Sequence, residues 1–287
     1  MRIITKNNSR NPKIEYKTYL KNTVIYIGIH ASVFLFNTSV ATADNLLKSA
    51  DPEVNKQYVR ERFGKIQNKS FDKTNSKKKL LLIGDSQAQD FLNSAMEDDY
   101  LGAYQIRTRH IPAQCQPFLG KLSESGVASK DKSFCKSKDS LEKAKEQIAN
   151  ADVIVLAALW REWAVKKLPE SIKNLALKDT QKVIVLGRKS FGRIALRHYL
   201  RMPSSKRINL RNPINEKYIN DNDLLRQSFD KSVFVDQYAL ICGEKQSKCP
   251  IFTPKGELIS FDGGHLTKAG ARFVGEKIFS SAPLSEL

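Results

Sequence analysis

The 287-residue chain holds 48 lysines and arginines against 30 acidic residues, a formal charge of +18, with 41% hydrophobic residues. That length and hydrophobic content suit one globular domain plus an extra segment, because single cores stop growing at roughly 250–300 residues. So basic a chain is not expected to be indifferent to anions, which leaves nucleic acid, an anionic lipid surface and an acidic polysaccharide as partner classes.

The extra segment comes first. Residues 1–22 carry Arg2, Lys6, Arg10, Lys13, Lys17 and Lys21 against Glu15, and the apolar stretch TVIYIGIHASVFLFNTSV follows, then ATA at residues 41–43. A basic start, an apolar core and a small-x-small site describe a secretory signal, cleaved after Ala43. An uncleaved single-pass anchor is the alternative, since about 18 apolar residues begin to suffice for a span. Either places the remainder outside the cytoplasm. Residues 44–78 are polar and rich in Lys and Asn, and read as a stem with a short helix around PEVNKQYVRERFGKI. Their low hydrophobicity argues against a core of their own.

From Lys79 onward, strand and helix signals alternate. KLLLIGDS is a continuous apolar run with an abrupt stop, as buried parallel strands look. QAQDFLNSAMEDDYL follows with helical spacing of Phe91, Leu92, Ala95 and Met96. AYQIRTRHI alternates as a second strand; the helix LEKAKEQIANA precedes a third, DVIVLAAL. LPESIKNLALKDT is helical before QKVIVLG, and NDLLRQSFDK is helical before SVFVDQ, the fourth and fifth strands. TKAGARFVGEKIFSSA closes the chain as a helix, with Thr267 as its cap. The alternation predicts a three-layer α/β/α sandwich over residues 79–287, with a flavodoxin-like, mostly parallel five-stranded sheet. There is no internal repeat.

The four cysteines, Cys115, Cys135, Cys242 and Cys249, all fall in the exported part. An even count in an oxidising compartment reads as disulfides. Three pairings are open, and nearest neighbours, Cys115–Cys135 and Cys242–Cys249, are the expectation. A zinc site is the rival, but the two tight C-x-x-C knuckles such sites usually show are missing.

Two short stretches carry chemistry. Ser86 stands at the tip of the first strand, where open α/β sheets place their ligands. Near the end, ISFDGGHLTKAGARF sets Asp262 and His265 three apart in a Gly-rich turn before the last helix. A carboxylate that holds one imidazole nitrogen leaves the other free as a base, and a serine hydroxyl needs such a base to become a nucleophile. Alone, Gly-Asp-Ser is an ordinary turn and D-x-x-H an ordinary helix cap. In this order, both at the carboxyl end of a parallel sheet, they point to a Ser–His–Asp system. Asp85 reads as a local hydrogen-bonding partner of the turn that presents Ser86.

IGDSQA and FDGGHLTKAGA resemble the first and last motif blocks of the SGNH (GDSL-like) hydrolase superfamily. The resemblance is nearest to the SGNH domain fused, in bacteria, to multi-pass membrane acyltransferases that modify surface polysaccharides. It spans roughly residues 78–282 and takes in VIVLAALW and the cysteines before the D-x-x-H segment. It implies a Ser86–His265–Asp262 triad and acyl-ester chemistry on carbohydrate. The G-x-S-x-G elbow of other hydrolases is not matched, because Ala88 stands at the second Gly. The family's oxyanion Gly and Asn are also missing: the loops read IPAQCQP and AALWREW instead. The backbone N–H of Ser86, the loop around Gln114 and a group near Trp160 are the donors left to consider. Trp160 and Trp163 read as packing residues, with substrate stacking as the alternative.

The basic segment GRKSFGRIALRHYLRMPSSKRINLRNP, residues 187–213, reads as a solvated face, with docking of an anionic polysaccharide or of phosphate-rich envelope lipids as the functional alternative. His198 within it reads as a surface residue. Export and the absence of an aromatic stacking pattern argue against nucleic acid. The resulting expectation is a serine-dependent O-acetyl esterase or O-acetyltransferase of the cell envelope. It would act on a carbohydrate or surface polysaccharide of anionic character, with a membrane acyltransferase as a further partner. Such chemistry needs no metal ion or organic cofactor. The alternative is a weakly active or inactive polysaccharide-binding module on the same scaffold.

Overall fold

The computed structural model describes residues 43–243 and 247–287. The signal or anchor expected over residues 1–43 lies outside them, apart from Ala43. Among the described residues, no helix is long and apolar enough to cross a membrane.

Strands β1 (Lys78–Gly84), β2 (Tyr104–His110), β3 (Val153–Ala157), β4 (Lys182–Leu186), β5 (Arg211–Pro213), β6 (Phe234–Val235) and β7 (Lys248–Pro250) form two sheets. The main sheet has five strands in the order β2-β1-β3-β4-β6, and every neighbouring pair is parallel. With β1 between β2 and β3, this is the flavodoxin-like doubly wound order. β5 and β7 make a small antiparallel pair to one side.

Side-chain alternation in the strands divides the interior into two layers. Leu80 and Leu82 of β1 and Val153 and Val155 of β3 pack with Phe91, Val274 and Ile278 on one face. Leu81, Ile83, Ile154 and Leu156 pack with Leu141, Ile148, Val165 and Leu168 on the other. The central strands are buried on both faces, so their sequences are unbroken apolar runs. Each fully buried Leu or Ile stabilises the fold by about 1.5–3 kcal/mol.

Helices α1 (Ala43–Ser49), α2 (Pro52–Lys65) and α3 (Ser86–Glu97) open the domain and lead into the layer that faces the first set of side chains. The helix expected from Leu168 starts earlier, at Glu162, and ends at Lys173, with Pro169 inside it and Ala164, Val165 and Leu168 buried. The last helix, Lys268–Phe279, is capped by Thr267, whose Oγ1 accepts from the Gly270 N–H at 3.0 Å.

Residues 44–78 are not a stem apart from the domain. α2 is polar, but its few inward residues, Asn55, Val59 and Phe63, are buried, and Phe63 is fully inside the main core. The Asn93 amide donates to the carbonyls of Tyr58 and Val59 at 3.1 and 3.2 Å, fixing α2 on α3. Beyond α2, Gln67 pairs with Thr108 as an isolated parallel bridge, and the Asn68 N–H donates to the Thr108 carbonyl at 2.9 Å. The Thr108 hydroxyl in turn donates to the Phe63 carbonyl at 2.8 Å.

The basic segment is not uniformly a solvated face either. Arg188, Lys189 and Arg207 are buried, whereas Arg193, Arg197, His198 and Arg201 are exposed. The Arg188 guanidinium lies 3.7 Å from the centre of the Tyr218 ring, pairs with Asp221 and donates to the Trp160 carbonyl at 2.8 Å. Cys115 is bonded to Cys135, and Cys242 to Cys249.

Candidate active site

The tip of β1 requires glycine before Asp85. Gly84 has φ +154°, and a Cβ there would fall 1.7 Å from the Ala157 carbonyl oxygen of β3. With that close approach, Asp85 can reach across. Its buried carboxylate accepts from the Gln87 N–H at 2.9 Å and the Leu159 N–H at 2.8 Å. It therefore caps α3 and ties it to the β3 exit. Burial pushes the Asp85 carboxyl up from its ordinary pKa, against the pull of these two N–H groups. Ser86 is the first residue of α3 and is half-buried. Neither its N–H nor its hydroxyl has a hydrogen-bond partner among the described residues, and an unbonded N–H is what the first turn of a helix leaves over.

The loop before the last helix is equally fixed. Gly263 has φ +94° and lies against the Gly192 carbonyl, where a Cβ would come within 2.0 Å of the oxygen. The Ser260 hydroxyl donates to the His265 carbonyl at 2.6 Å and accepts from the Gly263 N–H at 2.8 Å. In this turn Asp262 Oδ2 is 2.6 Å from His265 Nδ1, and Oδ1 accepts from the N–H groups of Gly264 and His265, both at 2.8 Å. Burial works against ionising Asp262. The bonds from the His265 ring and the two backbone N–H groups outweigh it and hold the carboxyl at about 2. The same bond to Asp262 raises the His265 pKa above its ordinary 6.5; burial opposes the rise, and the nearby charge of Asp90 adds to it. Asp262 thus orients the ring and makes it a stronger base.

A cavity of about 460 Å³ brings these parts together. Ser86, Asp262 and His265 all line it, with Phe261, His110 and Gln89. The Phe261 ring stacks on His265 at 5.9 Å between centroids. A buried ion pair joins α3 to the loop before the last helix. Lys189 Nζ lies 2.6 Å from Asp90 Oδ2 and donates to Gln87 Oε1 at 3.2 Å and to the Gly264 carbonyl at 3.0 Å. Asp90 Oδ1 accepts from the Leu266 N–H at 3.2 Å. One ammonium therefore bonds the residue after Ser86 and the residue before His265.

The other sequence-derived site residues lie elsewhere. Trp160 is fully buried and its indole N–H donates to the Leu186 carbonyl at 2.7 Å, so its side chain is a packing element and not an oxyanion donor. Trp163 packs edge-on against Phe118 at 5.2 Å. Neither tryptophan, nor Gln114, nor His198 is among the residues lining the cavity. The organising residue of the second loop is instead Gln116, in the left-handed region at φ +58°. Its amide donates to the Leu159 carbonyl at 3.1 Å and accepts from the Arg161 N–H at 3.0 Å, bracing the loop after β2 on the loop after β3. Among the described residues, no cluster of three or more His, Cys, Asp and Glu side chains is placed to hold a metal ion.

Residues 53–279 match the family model described as SGNH domain (fused to AT3 domains). The chain belongs to the SGNH domain family. Its SGNH domain begins inside α2, as the packing of Phe63 requires. A solved structure, the periplasmic domain of a lipopolysaccharide acetyltransferase from Salmonella ser. Paratyphi A, superposes with a TM-score of 0.52 at 18% identity. The match covers 81% of this chain and 98% of that one, and at such identity it establishes a shared fold. No curated protein matches the sequence. For this SGNH domain, family and fold support the esterase and acyltransferase class of activity.

Proposed function

We propose that this SGNH domain is a serine-dependent acyl-ester enzyme of the cell envelope, acting on O-acetyl groups of a carbohydrate. The observation that carries the reading is the shared cavity of Ser86, His265 and Asp262, with Asp262 holding His265 Nδ1 at 2.6 Å. His265 accepts the Ser86 proton as Ser86 Oγ bonds to the ester carbonyl carbon, and the carbonyl oxygen becomes an oxyanion. The unpartnered Ser86 N–H at the start of α3 is its donor. As the oxyanion collapses, the bond to the sugar oxygen breaks and His265 returns the proton to that oxygen, leaving acetyl-Ser86. Water or a second sugar hydroxyl, deprotonated by His265, then takes the acetyl group and restores the serine.

Several features support the remaining parts of the reading. The family's fusion to acyltransferase domains favours transfer and a membrane partner. The structural neighbour is by its title a lipopolysaccharide acetyltransferase domain of the periplasm, which favours acetyl as the group and an envelope polysaccharide as its carrier. Two disulfides fit an oxidising, extracytoplasmic setting.

The test is acetate release from 4-nitrophenyl acetate and from an O-acetylated polysaccharide, by the parent and by Ser86→Ala. Release by the parent that falls to background in Ser86→Ala supports the assignment. Equal, Ser86-independent rates overturn it. A second reading, a polysaccharide-binding module, is favoured by a sparse oxyanion site: the Trp160 indole N–H is bonded to Leu186 and Gln114 does not line the cavity, which leaves the Ser86 N–H as the donor. Polysaccharide binding by a parent that releases no acetate would select that reading.

A further inference from the structure

One wall of the cavity is cationic, and α2 supplies it. Lys56 and Arg60 both line the cavity that holds Ser86 and His265, together with Val59 between them. Residues four apart lie on one face of a helix, so both cations are carried by the side of α2 turned toward the cavity mouth. The wall is rigid, because Val59 and Phe63 are buried beneath it and Asn93 holds its backbone.

The charge of this wall is not cancelled from within. Asp262 is the only carboxylate among the lining residues, and it is bonded to the His265 ring and two backbone N–H groups. Lys56 reaches Glu53 at 2.9 Å, but both side chains are largely exposed, and such a pair is weakly held. Arg60 is exposed and makes no ion pair among the described residues. The nearby His110 favours its neutral form, since burial pushes its pKa down; Asp139 opposes this, and Arg60 and Lys138 push the same way as burial.

We propose that Lys56 and Arg60 form a subsite for an anionic group, a carboxylate or a phosphate, carried by the acylated sugar beside its ester. The inference rests on the ester reading for what reacts at Ser86 and adds a charge to the substrate. The Arg60 guanidinium offers a planar fork to either anion and Lys56 a point charge. Because the helix is already held in place, little ordering is needed when the anion binds.

The test compares kcat/KM for acetate release from three acetylated sugars: a methyl glucoside, the matching glucuronate and the matching 6-phosphate. The parent should prefer a charged sugar over the neutral one by about tenfold or more, the scale of one hydrogen bond to a charged group. In Lys56→Gln/Arg60→Gln that preference should collapse, mainly through KM, and Arg60→Lys should keep part of it. Added salt should erode the parent's preference. The two charged sugars rank carboxylate against phosphate.

A parent with no preference for charge, or a double variant that keeps it, overturns the proposal. If the parent releases acetate from none of the sugars, the ester reading itself fails, and binding decides the subsite. Calorimetry with oligogalacturonate and with a phosphorylated sugar, on the full chain carrying Ser86→Ala, should then show affinity that the double variant loses. Equal affinity, or none, overturns it.

Discussion

Replacing Lys189 with methionine removes the ammonium that joins the two halves of the site and leaves nearly everything else in place. The ion pair with Asp90 is 2.6 Å long and its side chains are 2% and 0% exposed, so water cannot take over the lost partner. Asp90 would keep one bond, from the Leu266 N–H. Stranding one member of a buried pair costs about 3–5 kcal/mol, whereas replacing both members by neutral groups is often close to neutral. Lys189→Met should therefore lower stability by about that amount, or about 6–20 °C in melting temperature at the 2–4 °C per kcal/mol of a unit this size. Asp90→Asn/Lys189→Met should recover most of it. Thermal and urea unfolding followed by circular dichroism would measure both. If the double variant is as unstable as Lys189→Met, or if Lys189→Met costs under about 1 kcal/mol, the pair does not work as described. The repaired double variant should still hydrolyse esters more slowly, because Gln87 and Gly264 no longer share a donor.

Further outcomes follow from the site. Ester hydrolysis should fall as pH drops through a midpoint above 6.5, since the raised pKa of His265 must be crossed before the ring is a neutral base. Asp262→Asn should move that midpoint down and slow the reaction, by about 10⁴ in the Ser-His-Asp template; a rate unchanged in Asp262→Asn would remove Asp262 from the mechanism. Stability has opposite windows: the His265 contribution is full below 6.5 and lost as pH rises through its raised pKa, while that of Asp262 is present above 3.8 and lost as pH falls through about 2. Gly84→Ala places a methyl group 1.7 Å from a backbone oxygen at φ +154°, and strain of this kind costs about 3 kcal/mol or more. A melting temperature within 2 °C of the parent, a shift of under about 1 kcal/mol, would contradict the close packing of β1 on β3.

The sheet was legible in the sequence because strands buried on both faces must be written as apolar runs, as in LLLIG and VIVLA. That Ser86, Asp262 and His265 share one cavity was legible because a strand tip and a helix start announce themselves through Gly, Asp and Thr. The helix of α2 was legible in PEVNKQYVRERFGKI, but its docking on the core was not, since only Asn55, Val59 and Phe63 are buried, with Tyr58 packed beside them, in a largely polar stretch. Arg188 and Lys189 were not, because a run of cations looks the same whether its members face water or buried carboxylates. What distinguishes them is the partner, Asp221 or Asp90, far away in sequence. Gln116 left no signal at all: its role depends on a left-handed backbone and on two loops meeting.

The bridge between Gln67 and Thr108 has a meaning beyond the cavity. β2 ends the main sheet on one side, and an uncovered outer strand is a template on which other chains can pair. The segment leaving α2 occupies part of that template, with the Asn68 N–H on the Thr108 carbonyl and the Thr108 hydroxyl on Phe63. The stretch that walls the cavity is thus also a guard against self-association. Any event that peels α2 away, whether proteolysis, mutation of Phe63 or tension on the chain, would open the cavity and expose a sticky rim in the same motion. For this protein, loss of activity and onset of aggregation should be two readings of one structural failure.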